Sequence, residues 1–365
     1  MPFYAVKHGA YSSEKTEHQG ENTMKLRKIA AALVSAAMVA ALAGCSTGKT
    51  SGSGAASGSD ASDGEGKVYK VGICQLVEHP ALDAATQGFK DALVEKLGED
   101  GVKFDEGNAQ NENTNCTTIC TGFVASNVDL IMANATAALQ AAASATDTAG
   151  GKQIPVLGTS VTDYGTALDI KDFSGKTGFN VSGTSDLAPI DQQEDMLVEL
   201  VPDAKMVGIL YCSAEANSKY QAQLFEAELE KDGIAYKEYS AADTNEIRTV
   251  VTTAVSECDA IYIPTDNTMA SNTEVVRNAV VPAGIPVIAG EQGICSGCGI
   301  ATLSISYYDL GYTTGEMAYE ILVNGADPAE MDVRFAPKAE KLYNADICAE
   351  LGITIPEGYT AIATE

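Results

Sequence analysis

Glu78 and His79 stand side by side in the stretch QLVEHPALDAA, Gln75–Ala85. An acid beside an imidazole could move a proton or orient a ligand. The chain has three histidines, and His8 and His18 both precede a stretch read below as a cleavable signal. His79 is therefore the one imidazole expected in the mature protein. As a general base it would need a nucleophile such as Ser213 or Cys212 brought to it from elsewhere in the chain. No G-x-S-x-G elbow stands at a strand-to-helix turn, and no G-x-x-x-x-G-K-[ST] P-loop or H-E-x-x-H pattern occurs. The turn after the first apolar run is QLVEHP, where a dinucleotide site would need G-x-G-x-x-G. Catalysis is not expected, nor is a cofactor.

Other polar clusters share one context: each follows a short apolar run. ANATAA carries Asn134 and Thr136, and GTSVTDY carries Thr159, Ser160 and Tyr164. CSAEANS carries Ser213, Glu215 and Asn217; PTDNTMAS carries Asp266 and Asn267; AGEQG carries Glu291. Hydroxyls, amides and helix N-terminal N–H groups suit a carboxylate, and acids suit an ammonium. An amino acid carries both charges and would match both sets. Each turn also has a purely structural reading. EHPALD can be a helix start with Pro80 at its first position, TDNT and SAEANS can be caps, TSVTDY a turn, and Glu291 a solvated acid.

The elements that must position these turns recur in order. A strand–turn–helix–strand unit beginning at Val71 returns at Val207, and a second unit beginning at Val128 returns at Cys258. Runs such as DLIMA and MVGIL suit strands buried on both faces of a parallel sheet. The pattern predicts an α/β fold of two Rossmann-like, doubly wound lobes with a ligand cleft between them. Ligands of such sheets sit outside the carboxyl ends of the strands, where the polar turns lie. The expected boundaries are 68–180 for the first lobe, with 301–328 returning to it, and 181–300 for the second, with 329–365 returning to it. The stretch SGTSDLA, Ser182–Ala188, reads as a crossing turn.

Composition narrows the partners. A formal net charge of −27 repels phosphate backbones, so nucleic-acid binding is not expected. From Met24 the chain reads MKLRKIAAALVSAAMVAALAGC: a basic start, a short apolar run, then small residues before Cys45. This reads as an export signal over 24–44 rather than a membrane span. LAGC resembles the lipobox of bacterial lipoproteins, which implies lipidation of Cys45 and cleavage before it. Residues 1–23 read as an upstream mis-assigned start, and the Gly/Ser-rich stretch to residue 67 as a flexible tether. Eight further cysteines follow, including Cys116-x-x-x-Cys120 and Cys295-x-x-Cys298. A zinc site is disfavoured because the two pairs fall in different halves of the chain without a knuckle context, which leaves local disulfides or free thiols.

QLVEHPALDAATQGF, GTSVTDY, CSAEANS, PTDNTMAS and GIATLSISYYDLGYTTGEMA, in this order behind a lipobox, resemble the substrate-binding lipoproteins of ABC importers of the tryptophan/tyrosine-binding type. The resemblance spans nearly all of 68–358. It implies a periplasmic-binding-protein fold, cleft closure on a small solute, and delivery to a membrane permease driven by a separate ATPase. It implies a monomer outside the cytoplasm, held to the membrane by lipid on Cys45. A receptor presenting its ligand to a sensor, or a binder of another small solute, is the alternative. Carried over, Glu78, His79, Asn134, Thr136, Thr159, Ser160, Tyr164, Ser213, Glu215, Asn217, Asp266, Asn267, Glu291 and Tyr307 become ligand-binding candidates. Asp266, with Glu291, would take the ammonium, and Ser213, Asn217 and Thr159 the carboxylate. Tyr164 and Tyr307 would flank an aromatic ring. The cysteine pair in EQGICSGCG departs from the pattern.

Overall fold

In a computed structural model the chain is described over residues 67–147, 153–336 and 338–363. The expected signal, Cys45 and nearly all of the tether lie outside these residues. The first half runs β1 (Tyr69–Gln75), α1 (Pro80–Leu97), β2 (Val102–Asn108), α2 (Asn113–Ala125), β3 (Leu130–Asn134), α3 (Thr136–Thr146), β4 (Val156–Val161), α4 (Tyr164–Leu168) and β5 (Val181–Ser185). Next come α5 (Ile190–Leu200), β6 (Met206–Cys212), α6 (Ala216–Asp232), β7 (Ala235–Ala241), α7 (Ile247–Glu257), β8 (Ala260–Ile263), α8 (Asn267–Ala270) and α9 (Thr273–Ala283). The chain closes with β9 (Val287–Ala289), α10 (Gln292–Cys298), β10 (Ala301–Ile305), α11 (Tyr307–Leu322), β11 (Arg334–Phe335), β12 (Ala339–Tyr343), α12 (Ala345–Leu351) and β13 (Thr360–Ala361).

Two sheets form, ordered β11-β5-β4-β3-β1-β2 and β13-β12-β10-β9-β8-β6-β7. Five strands of each follow one order, with β6 to β10 standing where β1 to β5 stand. The sequence repeat is thus a repeat of topology. All pairs among those five are parallel, and β12 alone runs against its neighbour β10. Helices cover both faces, which is why β3 (LIMAN) and β8 (AIYI) are buried along their whole length. In each sheet the order reverses beside the first strand, between β1 and β3 and between β6 and β8. That reversal opens a crevice at the strand carboxyl ends.

The chain crosses between sheets three times: after β5, after β10 and after β11. These crossings shift the expected boundaries. β5, expected to open the second lobe at residue 181, hydrogen-bonds to β4 in the first sheet. β10, expected back in the first lobe at residue 301, pairs with β9 in the second. β11 is an edge strand on β5, although residues 329 onward were expected in the second lobe. Short strands of Gly, Ser and Thr carry little apolar signal, so their burial comes from what covers them. The Tyr164 hydroxyl lies over Gly158 and Gly183, where a Cβ would meet it at 2.4 and 2.3 Å.

α11 returns to the first lobe by packing along α1. The contact is backbone to backbone. A Cβ on Gly311 would lie 1.9 Å from the Ala85 carbonyl oxygen, and one on Gly88 would lie 2.1 Å from that of Tyr308. Gly311 and Gly315, one helical turn apart, let the two helix axes approach this closely.

Candidate ligand cleft

A small cavity of about 10 Å³ is lined from both lobes and from the crossings, and a larger one of about 770 Å³ lies beside it, sharing Glu291 and Tyr307. To the small cavity the first lobe supplies His79, Leu82 and Ser160; the second supplies Asn217, Thr265, Asp266, Asn267, Ala270 and Glu291. Asp186, just past β5, and Tyr307, just past β10, line it from two crossing segments and bond to each other, Tyr307 Oη donating to Asp186 Oδ2 at 3.0 Å.

His79 is the residue before helix α1, with Pro80 at the first helical position and Asp83 in the first turn. EHPALD is a helix start, yet the imidazole makes no cap bond and turns into the cleft. There its Nε2 meets Asn267 Oδ1 of the second lobe at 3.2 Å. The amide of Asn267 is oriented by Glu215, because Nδ2 donates to Glu215 Oε2 at 2.7 Å and a carboxylate only accepts. Asn267 therefore offers His79 an oxygen, and the proton is assigned to Nε2. The other ring nitrogen, Nδ1, is then a lone pair when the ring is neutral. It is buried and without a partner.

Two more buried polar atoms without partners belong to residues lining this cavity, Ser160 Oγ and Asp186 Oδ1. Ser160 sits where β4 shifts register, with φ 53° in the left-handed region that a serine seldom adopts. Such strain, in a buried strand end, aims the side chain where a regular strand would not. Asp186 is 3% exposed. Burial pushes its carboxyl up to about 6, against the neighbouring hydroxyls of Thr162 and Tyr307, which favour the charged form. Burial likewise raises Glu291, opposed by the nearby His79 and by backbone N–H groups of Gly293 and Ile294.

The remaining candidates have other partners. Asp266 caps α8: Oδ1 accepts from Met269 N–H at 2.8 Å and Oδ2 from Cys212 N–H at 2.7 Å. Both of its oxygens are engaged within the second lobe, although the residue borders the cavity. Asp266→Ala is expected to lower thermal stability by about 1–2 kcal/mol, as loss of a helix cap does. A melt run beside a ligand titration would show both falling together. Glu215 accepts from the N–H groups of Asn267 and Thr268 and from both their side chains. Asn217 Nδ2 donates to Glu215 and to the Thr265 carbonyl. Ser213 donates to the Ala241 carbonyl.

In the first lobe Glu78 is exposed. Asn134 donates to the Leu82 carbonyl and to Thr86, holding the start of α1 onto β3. Thr136 is buried at the start of α3. Thr159 accepts from Thr184 inside the sheet. Tyr164 donates to the Thr184 carbonyl and stacks on Phe173 at 6.3 Å, within the lobe's core. Leu82, Asp186 and Ala270 were not singled out from the sequence. Asp186 could have been noticed as the acid ending a strand, the signal that raised the other turns.

Among the described residues, none of the His, Cys, Asp and Glu side chains group so as to hold a metal ion, and no helix is long and apolar enough to cross a membrane. All eight cysteines from Cys74 onward are buried free thiols. Cys295 and Cys298 lie on the buried face of α10, where burial raises both thiols.

Comparison with known proteins agrees with this geometry. The profile of a family described as ABC transporter substrate binding protein matches residues 70–365. A tyrosine-binding protein of Clostridioides difficile (strain R20291) is 36% identical over 326 residues, covering 88% of this chain and 92% of that one. An ABC domain in complex with L-Trp from Streptococcus pneumonia is 36% identical, with TM-score 0.76 over 81% of this chain and all of its own. The ligand-free, open structure of a substrate binding protein with adhesive properties from Clostridium difficile is 37% identical, covering 82% of this chain and all of its own, with TM-score 0.63. The fold thus lies nearer the L-Trp complex than the open form, in keeping with hydrogen bonds that join the lobes across the cleft. The chain belongs to the ABC transporter substrate-binding protein family.

Proposed function

We propose that this protein captures an aromatic amino acid, tyrosine or tryptophan, between its lobes and hands it to a membrane permease driven by a separate ATPase. The observation that carries the reading is the set of three buried polar atoms without partners, His79 Nδ1, Ser160 Oγ and Asp186 Oδ1, on residues lining one cavity. Their chemistry is complementary to a zwitterion. Asp186 Oδ1 and the His79 lone pair accept from an ammonium, and Ser160 donates to a carboxylate. Glu291, whose two oxygens accept from the Gly293 and Ile294 N–H groups, would act on the ammonium only at longer range. Tyr307 and Leu82 offer ring and aliphatic surface to an aromatic side chain.

The ammonium assignment thus passes from Asp266 to Asp186, since Asp266 already serves two backbone donors. The relatives that bind tyrosine and L-Trp support the aromatic class. The LAGC motif supports a mature chain tethered to the outer face of the cell membrane through Cys45. Residues 46–365, unfolded and refolded to strip carried ligand, would be screened by thermal shift against the twenty amino acids, nucleosides and simple sugars. A shift confined to aromatic amino acids is expected. A shift with sugars or nucleosides alone would overturn the assignment.

A further inference from the structure

The turn after β2 holds two consecutive non-glycine residues in the left-handed region, Gln110 at φ 54° and Asn111 at φ 62°. Asparagine tolerates this conformation better than most side chains. The turn is fixed by Ala109 N–H to the Gln75 carbonyl and Asn111 N–H to that of Leu76. So held, the half-buried Asn111 reaches across the cleft, and its Nδ2 donates to Thr268 Oγ1 of the second lobe at 3.0 Å. Thr268 Oγ1 spends its own proton on Glu215 Oε1 at 2.8 Å, which leaves its lone pairs facing Asn111.

The same carboxylate orients Asn267 toward His79 through its other oxygen. Glu215 thus turns two neighbouring side chains of the second lobe into acceptors, and two donors of the first lobe meet them. We propose that Asn111 and Thr268, organised by Glu215, form a latch that holds the lobes together, so that Asn111 is a positioning residue for ligand capture although it does not line the ligand cavity. His79–Asn267 is the second arm of the same latch, but it belongs to the ligand site as well. Asn111–Thr268 is therefore the arm that separates closure from ligand contact.

Both partners return to water when the lobes part, so loss of the bond acts on the closed state. Complexes that differ by one such contact differ mainly in dissociation rate. The inference rests on the capture reading only for its kinetic arm. Asn111→Gly removes the donor and suits the positive φ. Thr268→Val removes the acceptor, and Thr268→Ser keeps it. The wild type and these variants would be compared by small-angle scattering without ligand and by stopped-flow dissociation of L-tyrosine or L-tryptophan.

Asn111→Gly and Thr268→Val are expected to give larger radii of gyration without ligand, and dissociation faster by about 3- to 10-fold, the range for one hydrogen bond. Association should change by less than about twofold, and Thr268→Ser should behave as the wild type. Melting curves without ligand would confirm that the variants fold. Equal radii and equal dissociation rates in wild type, Asn111→Gly and Thr268→Val would overturn the latch. A wild type that binds neither amino acid would count against the ligand class, and the scattering comparison would still decide the latch.

Discussion

Asp186→Asn is expected to weaken amino-acid binding by at least about 100-fold at neutral pH, since removing one member of a buried charge pair costs roughly 2–5 kcal/mol. The substitution keeps the shape of the side chain and its contact with Tyr307, so folding should survive. The lost charge sits where water cannot replace it, because Asp186 is fully enclosed between a sheet end and two crossings. A pH dependence follows from the same residue. Its carboxyl lies at about 6, raised by burial. An ammonium beside it favours the charged form, so binding below that pH must expel a proton. Affinity should therefore fall as pH drops through about 6, approaching tenfold per unit. In Asp186→Asn this part of the pH dependence should vanish. Titration calorimetry between pH 5 and 7.5, in buffers of different ionisation enthalpy, reads both the affinity and the proton.

Gly311→Ala should be among the most damaging small changes in the body of the protein. Its new methyl would lie 1.9 Å from the Ala85 carbonyl oxygen, and that oxygen belongs to helix backbone rather than to a side chain that can swing away. α1 and α11 would have to separate along their contact. Overpacking of this type costs about 3 kcal/mol, which for a chain of this size lowers the melting temperature by roughly 5 °C. Gly122 provides the comparison. It lies exposed in α2 with open space where a Cβ would stand, so Gly122→Ala should be neutral or slightly stabilising. Thermal unfolding followed by circular dichroism separates the two. Equal melting temperatures would mean that the α1–α11 contact yields at little cost.

The two-lobe fold was legible because its strands are short unbroken apolar runs and its two halves repeat in order. The same logic put the cleft at the strand ends, and His79, Ser160, Asn217, Asp266, Asn267, Glu291 and Tyr307 do line the cavity. Their roles were harder to read. A carboxylate just before a helix can cap it or hold a ligand, and Asp266 and Glu291 both cap. The sequence does not say which oxygens remain free after capping. Asp186 escaped notice because VSGTS looks like a turn. It is a strand only because β4, β11 and the Tyr164 ring close over its small residues. Asn111 was equally hidden, since the use of its side chain depends on a left-handed turn and on Thr268, far away in the chain.

On this reading the cleft recognises an amino acid through its charged groups. The most direct measurement is calorimetry of refolded protein with L-tyrosine or L-tryptophan beside the same ligand lacking its amino group. Saturable binding of the amino acid is expected, with at least about 100-fold weaker binding of the des-amino compound. Comparable affinity for the two would contradict it, because Asp186 would then not be holding an ammonium.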